Sequence, residues 1–102
     1  MKVHILKTWP EFFHLVKDGK KTFEIRINDR DFQVDDTIIL TEYLPNERQY
    51  TGDVVAVRVL HIMPLSEFVH GTSNIVVMSI KKLEGGNEKW LNQLITTKFT
   101  KK

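Results

Sequence analysis

The stretch Gly19-Lys20-Lys21-Thr22-Phe23-Glu24-Ile25-Arg26-Ile27 decides the fold, because the spacing of apolar residues changes within it. Upstream, Trp9, Phe12, Phe13 and Val16 recur at i, i+3, i+4, i+7, the period of a helix with one buried face. Thr8 and Glu11 stand at capping-box spacing, Pro10 falls in the first turn where its missing N–H costs nothing, and Gly19 offers a left-handed stop. Downstream the period is two. Phe23, Ile25 and Ile27 alternate with Thr22, Glu24 and Arg26, which predicts a strand with a dry apolar face and a charged face.

Working outward, Val3 to Leu6 reads as a first strand leading into that helix. Asn28 to Asp36 is a polar connection from which Phe32 and Val34 are expected to tuck into the core. Thr37 to Tyr43 is a strand, Pro45-Asn46-Glu47-Arg48 a turn, and Tyr50 to Ile62 a long strand in which Gly52 predicts a bulge. Pro64 to Val69 carries one helical turn, His70 to Asn74 is loop chemistry, and Ile75 to Ile80 is continuous enough to be covered on both faces. The fold class expected is mixed α/β, mainly β: a small barrel of five to six strands with a short helix closing one end. Residues 1–80 form this domain. Residues 81–102 are an appendage broken by Gly85-Gly86, with Trp90, Leu91, Leu94 and Ile95 at helical spacing and a Thr/Lys-rich, frayed end. That stripe predicts docking on the barrel; a dimer contact would use the same residues.

Composition narrows the function classes. The 102 residues are 41% hydrophobic and 27% charged, close to ordinary globular values, and the absence of cysteine excludes disulfide scaffolds, thiol nucleophiles and cysteine-ligated metals. No signal-peptide pattern and no transmembrane-length apolar run is present, so cytoplasmic residence without a membrane partner is expected. The net charge of +2 is unevenly placed. Residues 1–80 hold nine cations against eleven acids, and residues 81–102 hold six against two. A broad basic RNA-coating surface is thereby excluded from the domain, and recognition of an anion falls to a few placed cations.

Those cations are in the opening stretch. Alternate residues on a strand face lie about 6.6 Å apart, so Thr22, Glu24 and Arg26 make a polar row, with Lys21 able to swing toward it. A carboxylate between two cations suits the floor of a pocket for a polar or anionic ligand; a solvated strand face with weak ion pairs would use the same pattern. His4, His14, His61 and His70 show no metal-ligand spacing, and no metal or cofactor is expected.

Gly19-x-Lys21-x-x-Glu24-x-Arg26 resembles the G-x-K-x-x-E-x-R signature of ASCH domains, which share the PUA-like β-barrel. His4-x-Leu6-Lys7-Thr8-Trp9-Pro10-Glu11, Asn28-Asp29-Arg30-Asp31-Phe32 and Val76-Val77-Met78-Ser79-Ile80 are similar to one branch, the bacterial and phage domain of unknown function 3850. The resemblance implies a cleft between helix and barrel mouth that takes RNA or a nucleotide, single-stranded or small, lined by Lys21, Glu24 and Arg26. Lys7 and Arg30 would be secondary contacts and Trp9 or Tyr43 a base-stacking surface; a monomer would suffice. Some ASCH proteins resemble amidohydrolases of N4-acetylcytidine-like nucleosides, and others ribonucleases. In a hydrolase reading Lys21, Thr22 and Glu24 would be catalytic, with Glu67 as a second carboxylate, although Glu24 stands where that hydrolase type carries threonine. A third expectation is a protein interaction module acting through residues 81–102.

Overall fold

Residues 1–83 are described by the computed structural model. They form β1 (Val3–Thr8), α1 (Pro10–Lys17), β2 (Phe23–Ile27), β3 (Thr37–Leu44), β4 (Gln49–Pro64), a 3-10 turn (Leu65–Glu67) and β5 (Ile75–Lys82). The Gly85-Gly86 break and the Trp90 to Ile95 stripe lie outside the described residues.

The strands make one sheet in the order β1-β3-β4-β5-β2, parallel between β1 and β3 and antiparallel elsewhere. The small, mainly β sheet with one short helix is as expected, and it is a curled half-barrel, because β1 and β2 are edge strands that do not pair with each other. A side chain spans the gap. Arg26 Nη2 on β2 donates to the Lys7 carbonyl at 3.1 Å and to Thr8 Oγ1 at 3.4 Å on β1.

The concave side holds the core. Leu6, Phe32, Ile38, Leu40, Val55, Val57, Val59, Val76, Met78 and Ile80 pack there with Phe13 and Val16 of α1. Register explains the selection: Ile38 stands opposite Val57 and Leu40 opposite Val55, so one parity of each strand faces α1. Phe32 enters this core and Val34 does not, being half exposed. Gly52, with φ of +99°, lies where three residues of β4 oppose one of β3, between the Thr41–Val54 and Tyr43–Tyr50 pairs. This is the irregularity its backbone freedom predicted.

Three local expectations change. The capping box does not form: Trp9 is the N-cap with no side-chain cap bond, and Thr8 ends β1, where its hydroxyl meets Arg26. Its neighbours Phe12 and Phe13 instead donate their N–H groups to the Trp9 carbonyl at 3.1 and 2.9 Å. Only Phe13 and Val16 of the stripe are buried; Phe12 is 45% exposed and Trp9 51%, because an eight-residue helix packed on β3 and β4 turns only a narrow face toward the core. Finally, β2 is inverted. Glu24 is buried and Arg26 partly so, while Phe23, Ile25 and Ile27 are 44–63% exposed on the convex side. Glu24 tolerates the concave side because two cations there neutralise it, and the pairing of Glu24 with Met78 and of Arg26 with Val76, both core residues, fixes which face of β2 turns inward.

Candidate functional site

A cleft of about 490 Å³ opens where the two sheet edges approach each other, lined by Lys7, Thr8, Trp9, Phe12, Lys21, Phe23, Glu24, Ile25 and Arg26. The chain reaches it through the helix terminus. The N–H groups of Lys20 and Lys21 both donate to the Leu15 carbonyl, at 2.9 and 3.0 Å, across Gly19 with φ of +78°. That turn requires a residue at home in the left-handed region, and it delivers Lys21 to the cleft wall just before β2 begins.

Glu24 is the centre of the site. Lys21 Nζ donates to its Oε1 at 2.7 Å and Arg26 Nε to its Oε2 at 3.0 Å, and its side chain is 4% exposed. A carboxylate so deeply buried would be costly alone; two charge-assisted bonds offset the desolvation. Lys21 Nζ also donates to the Phe23 carbonyl at 2.7 Å and lies 4.8 Å from the Phe23 ring centroid. Arg26, clamped by Glu24 on one side and by Lys7 and Thr8 on the other, is both a cleft wall and the tie between edges. One Nζ proton of Lys21 and the Nη1 protons of Arg26 have no acceptor among the described residues, which leaves donors for a ligand. Lys7 Nζ sits 4.5 Å over the Tyr43 ring. The lining thus carries two cations, Lys21 and Arg26, and one carboxylate on its floor, with exposed Lys7 at its margin and half-exposed Trp9, Phe12, Phe23 and Ile25 on its rim.

Of the residues singled out by sequence, Lys7, Trp9, Lys21, Glu24 and Arg26 come together in this cleft. Thr22 is exposed and outside the lining; Thr8 supplies the hydroxyl there instead. Arg30 is exposed, 3.8 Å from Asp29, and Glu67 is exposed on the 3-10 turn; neither lines the cleft. Tyr43 packs edge-on against Tyr50 under Lys7 and is likewise outside the lining. Phe12, Phe23 and Ile25 were missed. Sequence periodicity assigned all three to the core, and the only sign otherwise was Glu24 between two apolar residues in a strand with Lys21 and Arg26 to neutralise it.

Two further buried carboxylates lie elsewhere. Asp36 receives the Lys2 N–H at 3.0 Å, the Gln33 N–H at 2.9 Å and Nε2 of His4 at 2.8 Å. Burial alone would raise its pKa, but the Lys2 N–H, the His4 contact and the Gln33 N–H together outweigh burial and hold it below the ordinary value. Glu42 takes Thr51 Oγ1 at 2.7 Å and His14 Nε2 at 3.0 Å. His4 and His14 are thus each committed to a single carboxylate, and among the described residues no three metal-ligating side chains converge. No helix among the described residues is long and apolar enough to cross a membrane.

Known proteins resemble the chain in both sequence and fold. An "Uncharacterized 12.9 kDa protein in GpA 3'region" of Escherichia phage P2 is 35% identical over 68 residues, 67% of this chain and 61% of that protein. The chain therefore spans somewhat less than two thirds of that relative. The solved structure titled "Crystal structure of hypothetical protein PH0355" superposes with a TM-score of 0.54 at 20% identity, covering 81% of this chain and 100% of that one, a likeness of fold alone. The model of the family described as Domain of unknown function (DUF3850) matches residues 3–80, and the chain belongs to that family.

Proposed function

We propose that the protein is an RNA- or nucleotide-binding domain of the PUA-like (ASCH) kind, and that the cleft floored by Lys21, Glu24 and Arg26 holds a single-stranded or small ligand. The observation that carries this reading is the pairing of a cationic floor, with unspent donors on Lys21 and Arg26, and a rim of half-exposed aromatic rings. Phosphates and base acceptors suit the donors, a base amine suits the remaining lone pairs of Glu24, and bases stack on rings such as Trp9. The small cluster of cations suits a ligand contacting one to three phosphates better than a long duplex. The hydrolase reading asks for the Thr22 hydroxyl beside Lys21 and Glu24, and Thr22 is outside the cleft lining, so binding is the better-supported reading.

Fluorescence anisotropy with short labelled single-stranded RNA at low salt, and competition by nucleoside monophosphates, tests it. Binding should weaken with salt at a slope of roughly −0.7 per phosphate contacted. Lys21→Ala should weaken binding about tenfold, the loss of one charge-assisted contact, and should also lower the thermal midpoint, because Glu24 loses one of the two bonds that offset its burial. Absence of binding by the unaltered protein to both RNA and nucleotides at low salt would overturn the reading.

A further inference from the structure

Edge strands present unpaired main-chain groups, and the two edges of this sheet face each other across the cleft. In β2 the direction of those groups follows from its bonds to β5. The Thr22 carbonyl accepts from the Ile80 N–H at 3.0 Å and the Asn28 N–H donates to the Asn74 carbonyl at 2.6 Å, so the even-numbered residues from 22 to 28 turn their main-chain groups toward β5. In an antiparallel pair the alternate residues turn theirs away, which sends those of Phe23, Ile25 and Ile27 to the free edge. Two of the three carbonyls there are engaged: that of Phe23 accepts from Lys21 Nζ at 2.7 Å, and that of Ile27 from the Asp29 N–H at 2.9 Å. Among the described residues, Ile25 is the residue of β2 that keeps both an N–H and a C=O unpaired.

The opposite edge has less to spare. The Thr37 N–H donates to the Lys2 carbonyl, so the even-numbered residues of β1 face β3, and Lys7 faces the gap, where its carbonyl takes Arg26 Nη2 at 3.1 Å. Ile25 and Lys7 both line the cleft. The Ile25 side chain lies on the convex side and the residue is 52% exposed, so what it turns toward the opposite edge is its main chain. Resting on the nucleotide reading above, we infer that the Ile25 N–H and C=O hydrogen-bond the edge of a nucleobase, while Lys21 and Arg26 meet the phosphate.

The chemistry of the pair selects this part of the ligand. An extended residue offers a donor and an acceptor side by side, and a nucleobase carries a neighbouring acceptor and donor on its Watson–Crick edge: ring nitrogen and amine in adenine and cytosine, carbonyl and ring N–H in guanine and uracil. A sugar phosphate has no planar edge of that kind. Strand addition by a peptide would call on the same edge of β2, but it needs free carbonyls on alternate residues, and those of Phe23 and Ile27 are already accepting. One free donor–acceptor pair suits one planar ring. Because the pair belongs to the main chain, no pattern of side chains in the sequence could have marked it.

The test follows the Ile25 amide in the isotope-enriched full chain while adenosine, cytidine, guanosine and uridine monophosphates and ribose 5-phosphate are added in turn at low salt. With the nucleotide that binds most tightly, the Ile25 N–H signal should move downfield and exchange with water more slowly. Ribose 5-phosphate should move the Lys21 amide and leave Ile25 where it was. The same nucleotide methylated at the ring nitrogen of its Watson–Crick edge, N1 in a purine or N3 in a pyrimidine, should bind about tenfold more weakly, the loss of one hydrogen bond. Equal affinity for the methylated and parent nucleotides overturns the inference and leaves nucleotide binding standing. So does an Ile25 N–H that ignores every nucleotide while Lys21 responds, or one that responds equally to ribose 5-phosphate. Binding of no nucleotide overturns the nucleotide reading and this inference with it. An aspartate-flanked peptide of alternating valine and threonine separates the other occupant: slowed exchange at Phe23, Ile25 and Ile27 together with the peptide, and at none of them with nucleotides, means strand addition and overturns the inference.

Discussion

Asp36 and Glu24 are both buried carboxylates with every oxygen engaged, yet they are held in different ways. Asp36 is gripped by two backbone N–H groups and the ring of His4, which is itself packed edge-on against Phe32 at 4.7 Å. Those donors are fixed by the fold and have nowhere else to go. Glu24 is gripped by the ends of two long side chains, one of which reaches across to the opposite edge of the sheet, and all of it borders a cleft. The difference separates a carboxylate that secures structure from one that sets out charges for a visitor. Asp36 ties the N-terminus, through Lys2, to the turn before β3, and so locks β1 in parallel register beside β3.

The sharpest way to break the comparison is at Asp36. Asp36→Ala strands two backbone donors and an imidazole in a buried place, and the expected loss is about 3 kcal/mol, read as a lower urea midpoint. Acid should act on the same residue. Its folded pKa lies below the unfolded one, so the folded state resists protonation, and the stability this contributes is complete above the unfolded pKa. That contribution is lost as the pH falls through the folded value. Urea midpoints measured from about pH 5 down to about pH 2 should therefore drop more steeply for the unaltered protein than for Asp36→Asn. Parallel curves would mean that Asp36 is not the residue that acid attacks.

Glu24→Gln should cost less, about 1 to 2 kcal/mol, because Lys21 and Arg26, though left without their counter-charge, are 15% and 28% exposed and can turn toward water. A loss as large as that of Asp36→Ala would erase the distinction between the two carboxylates.

The sequence makes one of these sites legible and hides the other. Lys21, Glu24 and Arg26 lie within six residues of one another, so strand geometry alone brings them together. Asp36 depends on His4, Lys2 and Gln33, and only the parallel pairing of β1 with β3 brings the first two to it, which no local pattern announces. The inversion of β2 was hidden for a related reason. Alternation shows that a strand has two faces, but which face turns inward depends on its neighbours, and at a sheet edge a neutralised Glu24 takes the inner side while Phe23, Ile25 and Ile27 stay out. For the central strands, unbroken runs such as Ile38-Ile39-Leu40 left no such choice.

The smallest change in stability is expected at Trp9, and it should coincide with a clear change in function. Trp9 is 51% exposed although it begins the helix, and its structural task is carried by its backbone, whose carbonyl accepts from Phe12 and Phe13 whatever the side chain is. Trp9→Ala therefore removes little buried surface, and the urea midpoint should correspond to a loss of less than about 1 kcal/mol. Its neighbour Phe13, one turn-face away and fully buried, provides the contrast: Phe13→Ala should cost about 3 to 5 kcal/mol. If the rim of the cleft stacks bases, Trp9→Ala should still weaken RNA binding by about 1 to 3 kcal/mol. This loss should be largely insensitive to salt, unlike that of Lys21→Ala, because stacking releases no counterions. Retention of full binding in Trp9→Ala would limit recognition to the charged floor, and the aromatic rim would then be an exposed apolar edge without a part in it.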